Sequence, residues 1–385
     1  MTTNDDGKIE CKVDGARVHA VQRHLETNHP GYGGIERYKR EFPGEPVLSD
    51  RAREAVERVK KEKKNEKARS LMGDLRPMHE VFDLGKVPPP ASLNSRGDPI
   101  MVAVSDDLSE DDAIHVPEVD TNYVFDIENV KSVLIGRHMN VPIYIWGYHG
   151  TGKTTILEQM AARMKRPLTR VQHTVNTEES HIYGQWTVKE GNMVFNYGPL
   201  PLAMLNGWDY CADEYDRAPP TVVSVYQPVM EGKALYIKEA PPEMRLVKPH
   251  PNFRFVATGN TNGSGDETGL YQGAVIQDAA NYSRFGLTIQ MDYMEESIEV
   301  MVVAGQANVA KKDAAKLVSF AKNIREAFKA GRMGSTISPR ELINAAKNAA
   351  IRGGAWREGI AGAWGNRLSR TDREVADQFA QRVFG

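Results

Sequence analysis

Apolar and polar positions along the chain fall into blocks whose character changes near residue 116. Beyond it, short apolar runs recur, each followed by a stretch of helical spacing. Val141-Pro142-Ile143-Tyr144-Ile145-Trp146 is an unbroken apolar run, the pattern of a strand buried on both faces. Over 154–165 the apolar residues Ile156, Leu157, Met160, Ala161 and Met164 share one face of a helix. Further strands are predicted over 167–172, 208–212, 253–258 and 285–291. Alternation over Gly184 to Tyr197, about Glu190-Gly191-Asn192, predicts a hairpin, and 234–246 reads as a second hairpin-like segment. From residue 295 the pattern is helical, with helices predicted over 296–308, 313–330, 339–351 and 371–383. This order predicts an α/β core with a parallel sheet over 121–294 and an all-helical lid over 295–385.

The first part of the chain reads differently. Residues 1–48 form a small module with few apolar positions. Residues 50–70 have the composition of a charged helix, with the run Lys60-Lys61-Glu62-Lys63-Lys64. Residues 71–120 read as a linker, with Pro88-Pro89-Pro90 and an acidic stretch from Ser105 to Asp112. A segment of that composition is expected to bury little and to stay extended or mobile. The charged helix and linker together make up 49–120.

Composition narrows the function. The 385 residues carry a formal charge of −2, so no global field draws the chain to nucleic acid or to an anionic membrane. No apolar stretch has the length of a membrane span, and the polar start MTTNDDGK is not a signal peptide. The two cysteines, Cys11 and Cys211, fall in separate predicted domains, which argues against a disulfide framework and for a reducing cytoplasm.

The chemistry is concentrated after the first strand. Gly147-Tyr148-His149-Gly150-Thr151-Gly152-Lys153-Thr154 has the form G-x-x-x-x-G-K-T. Glycines let the backbone curl so that N–H groups point at phosphate oxygens, and the helix N-terminus behind them favours negative charge. Lys153 is expected to reach the terminal phosphates of ATP and Thr154 to offer its hydroxyl to Mg²⁺, with Thr155 completing the nucleotide-binding set. The strand ends carry polar groups where open α/β sheets bind ligands. Asp213 is placed to hold Mg²⁺, Glu214 to polarise the attacking water and Asn260 to help position it. Asp209, inside the same apolar run, is expected to mark the strand's exposed start. Arg284 and Arg340 are candidate partners for charge on the γ-phosphate.

These residues carry a resemblance. GYHGTGKT, Asp213-Glu214-Tyr215-Asp216, ATGNTNG, TGLYQGA and SPREL resemble the CobS-type ATPase subunits of aerobic cobaltochelatase, within the MoxR and magnesium-chelatase branch of AAA+ ATPases. The resemblance runs from about Arg76 to the terminal RVFG. It implies that Asp213 and Glu214 are the Walker B pair and Asn260 is sensor 1. It also implies that Arg284 is a finger acting on a neighbouring subunit and Arg340 is sensor 2 on the lid. Where the family pattern has Asp before the finger, this chain has Ser283. The resemblance further implies a homo-oligomeric ring, a hexamer, working on a partner of the von Willebrand A or CobT-like type. The hairpin segments would then face the central pore or the partner.

The N-terminal module has its own constellation. Cys11, Asp14, His24 and His29 have zinc-finger spacing, with Asp14 where a second Cys is usual. They resemble the Ros/MucR type of bacterial finger. Residues 1–70 hold sixteen basic and thirteen acidic side chains, a balance of +3 that fits protein docking as well as DNA. Two readings follow from the whole chain. One is an ATP-driven ring motor acting on a partner protein, in its most specific form the ATPase subunit of a cobalt chelatase. The other is a zinc-finger nucleic-acid-binding protein with an ATPase switch.

Overall fold

The computed structural model describes residues 7–58 and 73–385, and the chain divides into two compact units, 1–70 and 71–385. In the first unit a two-stranded antiparallel pair, Ile9–Glu10 with Arg17–Val18, is followed by helices Val21–Asn28 and Gly34–Glu41. Ile9, Cys11, Val21, Leu25 and Tyr38 form its buried core. So few apolar side chains bury little surface, and a module of this size ordinarily depends on a staple such as a metal. The charged run at 60–64 lies outside the described residues.

The second unit is built on a five-stranded parallel sheet, with β1 Ile143–Gly147, β2 Leu168–Gln172, β3 Asp209–Asp213, β4 Arg254–Gly259 and β5 Leu287–Met291. Their spatial order is β5-β1-β4-β3-β2, so β4 is central between β1 and β3, and all four pairings are parallel. Ile143, Ile145, Cys211, Val256 and Ile289 pack on one face against Ile156, Leu157 and Met160 of the helix α2, Lys153–Arg163. That helix follows α1, Ile127–Met139. Asp126 caps α1 by accepting from the Asn129 N–H at 3.0 Å, and Asn140 ends it in the left-handed region. The other face holds an aromatic cluster of Tyr144, Tyr210, Tyr215, Tyr226, Phe255 and Phe285. The expected hairpins occur, as Gly184–Lys189 with Asn192–Tyr197 and as Leu235–Tyr236 with Leu246–Val247.

Residues 73–116 are not an extended linker. Asp74–Pro77 pairs antiparallel with Met101–Val104, and Met78, Phe82 and Val102 are buried with Ile143 and Val256 in the core of the second unit. Scattered apolar residues in a polar, proline-rich segment do the packing, which average composition hides. Asp209 is not an exposed strand start. It is 4% exposed, and Arg137 Nη1 and Arg166 Nη2 donate to its two carboxylate oxygens at 2.5 and 3.2 Å. Burial pushes this carboxyl upward, but the two guanidinium groups outweigh that and hold it below the usual carboxylate range.

Beyond the sheet come α3 Glu296–Ala307, α4 Lys311–Lys329, α5 Pro339–Ile351, α6 Trp356–Ala363 and α7 Arg370–Phe384. Phe320, Ile324, Leu342 and Trp364 are central to their core. Ser338 and Glu341 form a reciprocal capping box at the start of α5, with Pro339 in its first turn. Glu299 and Arg325 make a buried bidentate pair at 2.6 and 2.7 Å, joining α3 to α4.

Candidate functional site

The glycine loop lies between the C-terminal end of β1 and the first turn of α2. Two of its glycines are dictated by space. A Cβ on Gly147, at φ +150°, would lie 2.0 Å from the Met291 carbonyl oxygen, and one on Gly150, at φ +72°, would lie 2.7 Å from Ser338 Cβ. Lys153 Nζ donates to the carbonyls of Gly147 and Tyr148 at 2.8 and 2.9 Å and to Asn260 Oδ1 at 3.0 Å. Burial pushes its ammonium pKa down to about 8. Thr151 is buried, with its hydroxyl on the Tyr148 carbonyl at 2.8 Å, and Thr155 is half-buried in the first turn of α2. A cation held inside a glycine-shaped loop at a helix N-terminus fits the polyphosphate of a nucleotide.

The acidic pair closes the other side. Asp213 Oδ1 accepts from Thr154 Oγ1 at 2.8 Å and from Thr258 Oγ1, while Oδ2 accepts from Arg170 Nε and Nη2 at 2.8 and 2.5 Å. Burial pushes this carboxyl up, and the hydrogen bonds from Thr258, Thr154 and Arg170 hold it below its ordinary value. An ionised carboxylate touching the loop threonine is the donor set that a hard cation such as Mg²⁺ takes. Glu214 sits at φ 55°, ψ 38°, a left-handed conformation uncommon for a side chain of this kind. Its Oε2 accepts from Asn260 Nδ2 at 3.2 Å and faces Arg217 Nη1 at 3.4 Å. The structure thus brings Lys153, Thr154, Asp213, Glu214 and Asn260 together.

The two arginines are placed differently. Arg340 starts α5 close over the loop, its Cβ 3.7 Å from where a Cβ on Gly150 would stand. Arg284 donates from Nε to Glu231 Oε1 at 2.8 Å and from Nη1 to the Ala280 carbonyl at 2.5 Å. Those partners lie on neither the glycine loop nor the Asp213-Glu214 pair.

Several groups around the loop carry no strong signal in the sequence. Tyr148 stacks on Tyr293, with ring planes 3° apart and centroids at 5.4 Å, and the Arg325 guanidinium covers Tyr293 at 3.9 Å. Tyr271 Oη accepts the His149 N–H at 2.9 Å, and His149 Nε2 stands 3.7 Å from Glu341 of the lid. Burial, with Lys153, Arg367 and Arg340 nearby, lowers the His149 pKa to about 4. Tyr271 lies in the TGLYQGA motif, so its position was marked without its role. Arg170 and Thr258 are ordinary polar side chains in strands, a signal too weak to assign to Asp213 before the β2–β3–β4 register is known.

In the first unit, Asp14 Oδ2 stands 2.8 Å from both His24 Nε2 and His29 Nε2. Cys11, Asp14 and His24 offer ligand atoms within 4.8 Å of one another. Hydrogen bonding from His29, above all, holds the Asp14 carboxyl well below the usual range. The thiolate, carboxylate and imidazole donors fit Zn²⁺ in type. Among the described residues no helix is long and apolar enough to cross a membrane.

Comparison with known proteins agrees with this geometry. Residues 142–276 match the AAA domain (dynein-related subfamily), and residues 299–375 match the CbbQ/NirQ/NorQ C-terminal family. The chain is 35% identical over 285 residues to the aerobic cobaltochelatase subunit CobS of a Sinorhizobium species, covering 70% of this chain and 83% of that protein. It is 26% identical to the protein NorQ of Paracoccus denitrificans over 54% of this chain and 73% of that one. It is 25% identical to the gas vesicle ATPase GvpN of Ancylobacter aquaticus over 55% of this chain and 61% of that one. With the β5-β1-β4-β3-β2 sheet, the glycine loop and the helical lid in place, the chain belongs to the CobS/NorQ-like MoxR family of AAA+ ATPases and is an ATP-hydrolysing enzyme.

Proposed function

We propose that this ATPase is a homo-hexameric ring motor that acts on a partner protein, with its sites completed between neighbouring subunits. The observation that carries the reading is the split between the arginines: Arg340 lies over its own loop, while Arg284 is engaged with Glu231 and Ala280. In this reading Lys153 and the loop from Gly147 to Thr155 hold the nucleotide, and Thr154 with Asp213 holds Mg²⁺. Glu214 takes the proton of the attacking water, Asn260 orients that water, and Arg284 serves the adjoining subunit's site. The partner is of the von Willebrand A type. The Sinorhizobium relative is a cobaltochelatase subunit, and its 35% identity over 83% of its length supports the same place for this chain in a cobalt chelatase complex.

The nucleotide site is tested by two variants. Lys153→Ala loses nucleotide binding, because backbone N–H groups alone do not neutralise a triphosphate. Glu214→Gln keeps binding and loses turnover by a factor of about 100 or more, the range of a general base. Wild-type hydrolysis by either variant rules out these roles. The ring's client is sought by pull-down with Glu214→Gln.

The grouping of Cys11, Asp14 and His24, with His29 beside Asp14, supports a zinc site in the first unit held by these four residues. Metal analysis is expected to find about one zinc per chain. Chelation then loosens residues 9–45, read by hydrogen exchange, while the ATPase core stays folded. Protein refolded in excess zinc that still holds no metal contradicts the site. The nucleic-acid reading is tested by DNA binding of the full chain, which is expected to be absent.

A further inference from the structure

Asp216 is fully buried, three residues beyond Asp213. Its Oδ2 accepts three hydrogen bonds, from the Asn260 N–H at 2.8 Å, the Thr261 N–H at 2.8 Å and Thr261 Oγ1 at 2.9 Å. Its Oδ1 has no hydrogen-bond partner among the described residues. A buried carboxylate with one oxygen unsatisfied is costly to keep in the folded protein. What the carboxylate does here is accept from two successive backbone N–H groups just past the end of β4.

Those two residues matter to the site. The Asn260 side chain spans it, accepting from Lys153 Nζ at 3.0 Å and donating to Glu214 Oε2 at 3.2 Å. A backbone shift at Asn260 moves both contacts. The segment is close-fitted as well: a Cβ on Gly259 would lie 2.0 Å from Tyr144 Oη and 3.0 Å from Asp216 Cγ. Beyond it, the Thr261 carbonyl accepts from Tyr144 Oη at 2.6 Å, and Tyr144 Oη accepts from Tyr282 Oη at 2.9 Å. Tyr282 stands two residues before Arg284 in the chain. Asp216 also holds the loop after β4, its backbone carbonyl accepting from the Val275 N–H at 2.8 Å.

We propose that Asp216 is a positioning residue for ATP hydrolysis: its buried carboxylate fixes the Asn260–Thr261 backbone so that the Asn260 amide stays between Lys153 and Glu214. The inference rests on the site roles given to Glu214 and Asn260 above. The function of the charge is to strengthen three hydrogen bonds onto one oxygen. A neutral amide of the same shape keeps the packing and weakens those bonds. Asp216→Asn is therefore expected to lower kcat about tenfold while the affinity for ATP stays within about twofold, since the glycine loop is unaltered and Lys153 keeps its bonds to the Gly147 and Tyr148 carbonyls. Asp216→Ala, which removes the acceptor, is expected to lower kcat further, by about 100-fold.

The experiment measures kcat, KM and ATP affinity for the full-length wild type, Asp216→Asn, Asp216→Ala and Glu214→Gln, with thermal melting of each. A loss confined to kcat, graded from Asn to Ala and with folding retained, supports positioning. If affinity and kcat fall together, or melting drops in step with activity, Asp216 is a packing element and the proposal is overturned. The same holds if Asp216→Asn turns over at the wild-type rate while Glu214→Gln is inactive. If Glu214→Gln itself hydrolyses ATP normally, the site reading fails first and takes this inference with it.

Discussion

At the level of single residues, the site is a set of polar groups kept inside the protein by one another. Lys153 is desolvated but surrounded by two carbonyls and Asn260. Asp213 is desolvated but receives Thr154, Thr258 and Arg170. His149 is the exception, since burial beside three cations disfavours its protonation and sets its pKa near 4. An unfolded histidine takes up its proton near pH 6.5, so between that value and about 4 the unfolded chain binds more protons than the folded one. Stability is thus lost as pH falls through this window. His149→Gln removes that contribution, and its melting temperature is expected to fall less than the wild type's between pH 7 and pH 4.5. An equal fall in both would show that His149 contributes nothing to acid sensitivity. Much of this scale is legible in the sequence for the loop and the acidic pair, which are local motifs. Arg170, Thr258 and Asp216 are not, because each acts on a residue brought near by strand pairing.

Among the elements, the lid's contacts with the glycine loop are built from two devices. One is the capping box of α5, whose Ser338 presses against Gly150 and whose Glu341 reaches Arg367 and stands near His149. The other is the buried Glu299–Arg325 pair, which carries Arg325 over Tyr293 and so onto the Tyr148 stack. Breaking the pair from one side leaves an uncompensated charge. Glu299→Gln is expected to destabilise the lid by about 3–5 kcal/mol, because Arg325 remains buried without its carboxylate. Chemical denaturation measures this, and a cost below about 1 kcal/mol would mean that water or another group takes the place of Glu299. Gly150→Ala forces φ +72° on an alanine and drives its Cβ into Ser338. That variant is expected to weaken nucleotide binding and to lower the melting temperature together.

For the whole molecule the testable property is assembly. If Arg284 completes a neighbour's site, subunits carrying Arg284→Ala and subunits carrying Glu214→Gln are each inactive alone. A mixed ring places an intact Glu214 beside an intact Arg284 at some interfaces, so part of the ATPase activity returns on mixing. A finger acting within its own subunit gives no such rescue, because every subunit in the mixture still has a defect. Mixed oligomers shown to form, with no activity at any ratio, would remove the role of Arg284 between subunits.

The strand-loop-helix around Lys153, the acidic pair after β3 and the helical region beyond residue 295 were all determined by local pattern. A buried parallel strand needs consecutive apolar residues, and a phosphate loop needs glycines at fixed spacing. The spacing of Cys11, Asp14, His24 and His29 is a local pattern as well, and one turn and one short helix bring Asp14 to His24 and His29. Only the tertiary structure decided what polar residues do when their partners are far along the chain. It turned Asp209 from an expected strand start into a buried carboxylate held by Arg137 and Arg166. It drew Met78, Phe82 and Val102 from a segment of linker composition into the core. It set Asp216 on the backbone of Asn260. In each case the cost of burying charge, or the gain from burying apolar surface, depends on neighbours that strand order supplies and sequence spacing does not.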